Sequence, residues 1–177
     1  GGQIRFNAVV GRNALFREPD KGACLKAVAA VLRPAGQISL AEIVPSKGMR
    51  LSELLDMESE SEAFEKKLHQ AEEAIYTDSA NPLVNWSDED FCRLVEDAGF
   101  NIVKRDAQRF SDHRTIRSED IERWFAPQSG SYATRASATL SCAEIERLRE
   151  ICTDQLSGRE LDWQYTVLFV SAEHSKG

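Results

Sequence analysis

The spacing of apolar residues changes several times along this chain, and each change marks an element. Ile4-Arg5-Phe6-Asn7-Ala8-Val9-Val10 is a short, nearly continuous apolar run closed by Gly11, which predicts a buried parallel strand over residues 4–10. Residues 11–18 read as a loop. From Pro19 the period becomes helical: Leu25, Val28, Ala29 and Leu32 share one face, Pro19 suits a first turn, and Asp20 favours the positive end of the helix. Pro34 stops it. Residues 37–44 return to strand character through Ile38, Leu40, Ile43 and Val44, and residues 45–48 break the run with Pro45 and Gly48.

Residues 49–76 predict helix in two pieces, because the polar run Glu58-Ser59-Glu60-Ser61-Glu62 interrupts the apolar stripe. Leu51, Leu54 and Leu55 mark the first piece, and Phe64, Leu68, Ala71 and Ile75 keep helical spacing in the second. Asn81-Pro82 ends the segment. Ser87 is an N-cap candidate ahead of Phe91, Leu94, Val95 and Ala98, and Gly99 supplies the exit. Residues 100–104 and 163–172 predict two further strands. In the last, Trp163, Tyr165, Val167 and Phe169 alternate with Gln164, Thr166, Leu168 and Val170, so both faces are expected to be largely covered. Between these strands, residues 111–162 predict a short helix with Ile121, Trp124 and Phe125, a polar loop at 128–131, and a longer helix. That helix is opened by the capping-box spacing Ser141 to Glu144 and ended by Gly158.

Length and composition narrow the classes. At 177 residues the chain has a one-domain length, and its 42% apolar and 29% charged residues are ordinary for a globular protein. No apolar stretch approaches the roughly 20 residues of a membrane span, and no signal-peptide pattern is present, so no membrane association and a cytoplasmic location are expected. A net charge of −7 argues against a general nucleic-acid binder, whose affinity depends on neutralising phosphates. Cys24, Cys92, Cys142 and Cys152 fall singly in helix-like patterns, which predicts buried reduced thiols. His69, His113 and His174 lack ligand spacing, so no metal site is expected.

The order strand, loop, helix, Leu32-Arg33-Pro34-Ala35-Gly36, strand resembles the middle of a class I S-adenosylmethionine-dependent methyltransferase, from its fourth strand through its fifth. Trp86-Ser87-Asp88-Glu89-Asp90-Phe91 through Ala98-Gly99-Phe100 resembles that family's later helix, with its Ala-Gly-Phe before the sixth strand. The resemblance implies an α/β fold: a partial Rossmann-like sheet of parallel strands plus a C-terminal antiparallel hairpin. Residues 1–177 would be one domain, the C-terminal part of such an enzyme, with helical insertions at about 49–77 and 111–162. Only Gly1, Gly2 and Gln3 precede Ile4, so the family's Gly-x-Gly-x-Gly cofactor loop is not among these residues. Useful affinity for S-adenosylmethionine is therefore not expected of the chain alone.

The resemblance also implies site residues. Gly11, Arg12, Asn13, Ala14 and Leu15 match the family's loop that lines the cofactor's methionine, because such folds bind ligands outside the carboxyl ends of their strands. Asn13 has two readings, a bond to the methionine moiety or substrate and an amide satisfying loop backbone groups. Phe16 stands where many small-molecule members carry histidine; it either packs or shapes the acceptor pocket, while Arg17 reads as a solvated or helix-linking charge. Glu42 either faces the ligand cleft or is an exposed strand-end carboxylate. Residues 49–76 lie where relatives build a lid, which would bring Phe64 and Tyr76 to a substrate; the other reading is a plain packing helix. No catalytic acid or base is assigned. Methyl transfer from a sulfonium mainly needs donor and acceptor aligned, because the cofactor supplies the electrophile. The basic series Lys104, Arg105, Arg109, Arg114, Arg117 and Arg123 is interleaved with acids and reads as solvated surface.

Two functions follow from the resemblance. One is the substrate-side portion of a methyltransferase acting on a small-molecule acceptor. The other is a catalytically inactive methyltransferase-like module kept for assembly. In the family's order, residues 4–10 lie beside an absent first strand, so Phe6, Val9 and Val10 are expected at an open edge. A second copy in a homodimer or a complementing chain would occupy that edge.

Overall fold

The computed structural model describes residues 5–78 and 80–175. They form two compact units, one within residues 1–48, 79–110 and 165–177 and the other within residues 49–78 and 111–164. The two stretches expected as insertions thus fall together in the second unit.

The first unit is built on strands β1 (Phe6–Arg12) and β2 (Leu32–Ile43) with the parts of β3 (Phe100–Thr115) up to residue 110 and of β4 (Glu160–His174) from residue 165, in the order β1-β2-β4-β3. β1 and β2 run parallel, pairing Val10 with Ser39 and Arg12 with Ala41. β2 and β4 run antiparallel, pairing Ser39 with Ser171 and Ala41 with Phe169. Helix α1 (Lys21–Val31) connects β1 to β2 as a crossover. Asp20 is its N-cap and accepts from Ala23 N at 2.8 Å, so Pro19 stands before the cap rather than in the first turn. Helix α3 (Asp88–Asp97), counted after α2 of the second unit, has Ser87 and Asp90 as a reciprocal capping box. It leaves through Gly99 at φ +90°, a backbone conformation that a Cβ would strain.

Several boundaries differ from the sequence expectation. β1 runs to Arg12 because the parallel ladder continues through Gly11 and Arg12; Asn13, at φ +49°, turns the chain. Ile4 lies outside the described residues. β2 begins at Leu32 instead of 37, with a register shift where Ala35 adopts φ +58°. β3 is 16 residues long where the sequence predicted five or so, because its extension is almost wholly polar and carries no apolar alternation.

The sheet is covered on one side only. Ile38, Leu40, Leu168, Val170 and Ala172 join Leu25, Ala29, Phe91 and Val95 in one apolar core beneath α1 and α3. The opposite residues of the same strands, Ser39, Phe169 and Glu173 among them, face outward. The expectation that both faces of 163–172 are covered is therefore overturned for this unit: Phe169 keeps 38% of its surface exposed. Of the expected edge residues, Val10 is 80% and Phe6 51% exposed, whereas Val9 packs against the core.

The second unit is mainly helical: α2 (Glu62–Thr77), α4 (Ser118–Phe125), α5 (Tyr132–Ala136) and α6 (Cys142–Leu156). The first predicted piece of 49–76 shrinks to a 3₁₀ turn, Leu51–Leu54, since three leucines bounded by Glu58-Ser59 cannot sustain more turns. α5 carries no sequence expectation; Ser131, the last residue of the expected polar loop, is its N-cap, accepting from Thr134 N at 3.1 Å. The capping box Ser141–Glu144 opens α6, and Gly158, at φ +76°, follows its end. Leu68, Ile116, Leu148, Ile151, Cys152 and Leu156 are central to its core. Only Cys92 and Cys152 are buried; Cys24 is half-buried and Cys142, at the solvent-facing start of α6, is exposed, which corrects the uniform burial expected.

Candidate functional site

The turn after β1 is organised from within. Asn13 N donates to Ala41 O at 2.8 Å, and its side-chain Oδ1 accepts from Ile43 N at 3.1 Å. Of its two readings, the structure displays the backbone one. The next amides converge on Glu42: Ala14 N and Leu15 N donate to Oε1 at 2.9 and 3.1 Å. Glu42 is fully buried, so the exposed strand-end reading is wrong; β2 carries its side chain inward under the turn. Its Oε2 has no hydrogen-bond partner among the described residues. Burial pushes the Glu42 carboxyl above its usual range, against the pull of the Leu15 and Ala14 amides and the Lys21 ammonium.

Lys21 is a second buried charge, within electrostatic reach of Glu42. Its Nζ donates to Glu18 O and Pro82 O, both at 2.9 Å, and lies 5.3 Å from the Trp86 ring centroid. Burial lowers its pKa, and Glu42 and Glu18 oppose the shift. Nearby in sequence, Lys47 pairs with Asp88 at 2.5 Å. Burial resists ionisation of Asp88, but the Lys47 contact, a side-chain hydrogen bond with Glu89 and a backbone hydrogen bond together outweigh it and hold the carboxyl below the usual range. Sequence reading missed Lys21, although a lysine directly after an N-cap and before an apolar helix was a visible anomaly.

Of the five expected cofactor residues, Gly11 and Arg12 border a groove of about 580 Å³ on the open sheet face, with Val10, Ala41, Lys104, Asp106 and Phe169. Gly11 is constrained there: a Cβ would stand 3.1 Å from both Ala14 Cβ and Leu40 Cδ2. Asn13, Ala14 and Leu15 are not part of the groove, and Leu15 belongs to the core. Phe16 is half-buried and Arg17 exposed. A second groove of about 350 Å³ lies on the same face, between Ala8, Val10, Val103 and Ser171.

Phe64 and Tyr76 belong to the second unit. Phe64 is buried in its core, which favours the packing reading. Tyr76 lines a cavity of about 120 Å³ with Met49, Leu51, Glu72, Trp124, Tyr132 and Trp163. Glu72 was missed, although its place beside Leu68, Ala71 and Ile75 puts a carboxylate on the apolar face of α2. Burial of Tyr132 pushes its phenol well above its usual value, and the neighbouring Glu72 adds to the shift. Among the described residues there is no cluster of three potential metal ligands, and no helix is long and apolar enough to cross a membrane.

No protein-family model matches the sequence, and comparison with curated proteins finds no match either. Solved structures do match. A putative methyltransferase from Bacillus halodurans C-125 is 15% identical, with a TM-score of 0.50, over 99% of this chain and 67% of its own. The putative methyltransferase in a complex with the Trm112 methyltransferase activator from Haloferax volcanii aligns at 14% identity and TM-score 0.40, over 98% of this chain and 56% of that one. Phosphoethanolamine N-methyltransferase 2 of Haemonchus contortus, solved with S-adenosylhomocysteine, aligns at 14% identity and TM-score 0.40, over 96% and 33%. The chain thus spans from a third to two thirds of these neighbours. At such identities the likeness is one of fold, and the fold is that of the class I S-adenosylmethionine-dependent methyltransferases.

Proposed function

We propose that the chain is the substrate-side portion of an S-adenosylmethionine-dependent methyltransferase acting in the cytoplasm on a small-molecule acceptor, and that it works only when further polypeptide completes its sheet. The observation that carries this reading is the strand order β1-β2-β4-β3 with a bare face and a bare parallel edge. The activity itself comes from fold analogy. Parallel strands are stable with both faces covered, and here one face presents Val10 and Phe169 to solvent. Phe110 stacks on Tyr165 at 5.9 Å and meets Phe169 edge-on at 6.2 Å, which extends the aromatic surface.

The missing occupant is a segment that adds a strand parallel to β1 and lays helices over this face. A second copy fits less well. Pairing β1 with β1 across a two-fold axis would extend the sheet but leave both faces bare. In the completed form, Gly11 and Arg12 would line the cofactor side of the groove. The chain's own residues would position the ligands, while the cofactor supplies the electrophilic methyl group.

A second reading, an inactive assembly module, is favoured by one observation: the turn's polar groups are already committed, Asn13 to Ile43 and the Ala14 and Leu15 amides to Glu42. Calorimetric titration with S-adenosylhomocysteine separates the two. It is applied to the 177-residue chain and to the natural protein isolated through a C-terminal tag. Micromolar binding by the natural form and only millimolar or weaker binding by the chain supports the completed enzyme. Failure of both establishes the module, and micromolar binding by the chain alone overturns the need for completion.

A further inference from the structure

The cavity of the second unit has a chemistry that the methyltransferase reading does not use. Glu72 is 1% exposed, yet it keeps an anionic pattern of contacts. Leu51 N donates to its Oε1 at 2.8 Å, Tyr132 Oη donates to the same oxygen at 3.0 Å, Ser52 N donates to Oε2 at 3.3 Å, and the Ser52 hydroxyl makes a short bond to Oε2. Every one of these donors is uncharged. No cation is among them, and among the described residues no ion pair reaches this carboxylate. The neighbouring cation, Arg50, directs its Nε to Glu73 at 3.0 Å.

The walls around this carboxylate are aromatic. Trp124 and Trp163 stand with ring centroids 6.3 Å apart, and Tyr76 and Tyr132 supply two more rings. Two of the four rings already hold cations: the Arg50 guanidinium lies 3.9 Å from the Tyr76 centroid, and the Arg114 guanidinium lies 5.0 Å from that of Trp163. Electron-rich ring faces and an uncompensated carboxylate create a negative potential in a partly desolvated space, which attracts a cation more strongly than the same groups would in water. The volume, about 120 Å³, is that of roughly four liquid waters.

We propose that this cavity binds a small, extensively methylated ammonium group. The chemistry discriminates within the class of cations. A primary ammonium keeps three N–H donors that would need acceptors, and the oxygens of Glu72 are already engaged. A quaternary or tertiary ammonium has little or no such need: its charge is spread over methyl groups that pack against the rings, and Glu72 attracts it without a direct hydrogen bond. The proposal stands whether or not the methyltransferase reading does, because it requires no cofactor.

The test is a titration of the 177-residue chain with tetramethylammonium chloride, following tryptophan fluorescence in a Trp86→Phe background so that Trp124 and Trp163 report. Tert-butanol serves as the neutral isostere, methylammonium as the donor-rich cation, and sodium chloride as the ionic-strength control. The expected result is a saturable change with tetramethylammonium, at least tenfold weaker binding of tert-butanol and of methylammonium, and at least tenfold weakening by Glu72→Gln. If Glu72→Gln does not fold, Trp124→Ala, checked by circular dichroism, is expected to weaken binding as much. No saturable change, equal binding of tert-butanol, or an unaltered titration in Trp124→Ala overturns the proposal.

Discussion

The two faces of the sheet are built from alternate residues of the same strands and have opposite fates. On one, Ile38, Leu40, Leu168 and Val170 are sealed under α1 and α3; on the other, Val10, Val103 and Phe169 remain 80%, 67% and 38% exposed. A strand meant for solvent on one side alternates apolar with polar residues, and β2 approaches that with Gln37 and Ser39. β1 and β4 do not. Burying each exposed apolar side chain is worth roughly 1.5–3 kcal/mol, so the open face holds a driving force for association comparable to the stability of a small domain. The difference teaches that the covered face folds the unit, while the open face carries apolar residues that our proposal assigns to a further covering segment.

The largest predicted effect lies on the covered side. Phe91 is fully buried and packs against Trp86 with tilted rings 5.5 Å apart, so Phe91→Ala should cost about 3–5 kcal/mol, read as a drop in the urea midpoint. An unchanged midpoint would contradict the core described here. Glu42→Ala comes next, at about 1–3 kcal/mol, because it strips the acceptor from the buried Leu15 amide and the part-buried Ala14 amide. Glu42→Gln sharpens the point. The raised native pKa means that, as pH climbs from the ordinary carboxyl value through the native one, the unfolded chain loses its proton first and stability falls. Replacing Glu42 by glutamine should remove that fall, and a parent and variant with parallel pH profiles would refute the buried-charge account.

On the open face the expectation reverses. Val10→Lys should alter the unfolding free energy by no more than about 0.5 kcal/mol while abolishing association through β1, as measured by sedimentation. The smallest effect belongs to Glu144, whose carboxyl is held at about 2 by Lys67 and by the amide and hydroxyl of Ser141. Its depressed pKa contributes stability above the ordinary carboxyl value, and that contribution disappears as pH falls toward 2. Glu144→Gln should therefore lower the urea midpoint slightly at pH 7 and leave it unchanged near pH 2.

Much of the fold was legible because it depends on local signals. The Ser87 cap and Gly99 exit set α3 to within a residue, and the capping box at Ser141 did the same for α6. The long polar part of β3 was not legible, since a strand with few buried side chains leaves no period to read. Which face of β4 is covered was equally hidden, because Phe169 and Leu168 are similar in hydrophobicity and only the packing of α1 and α3 decides between them. At the candidate site, the backbone role of Asn13 was one of its two readings, while Glu42 was found as a residue but not as a buried acceptor. Their contacts join β1 to β2 across about 30 positions, which spacing alone cannot show. Glu72 and Lys21 were visible as charges on apolar helix faces, a signal that went unused.

The central claim, that β1 is an edge awaiting a further strand and a covering layer, is tested most directly by amide hydrogen exchange along Phe6–Arg12 in the natural protein and in the 177-residue chain. Our account predicts that the outward-pointing amides of β1 exchange rapidly in the chain alone and are protected at least a hundredfold in the natural form. Equal, rapid exchange in both would contradict it and leave the open face a permanent surface of the protein.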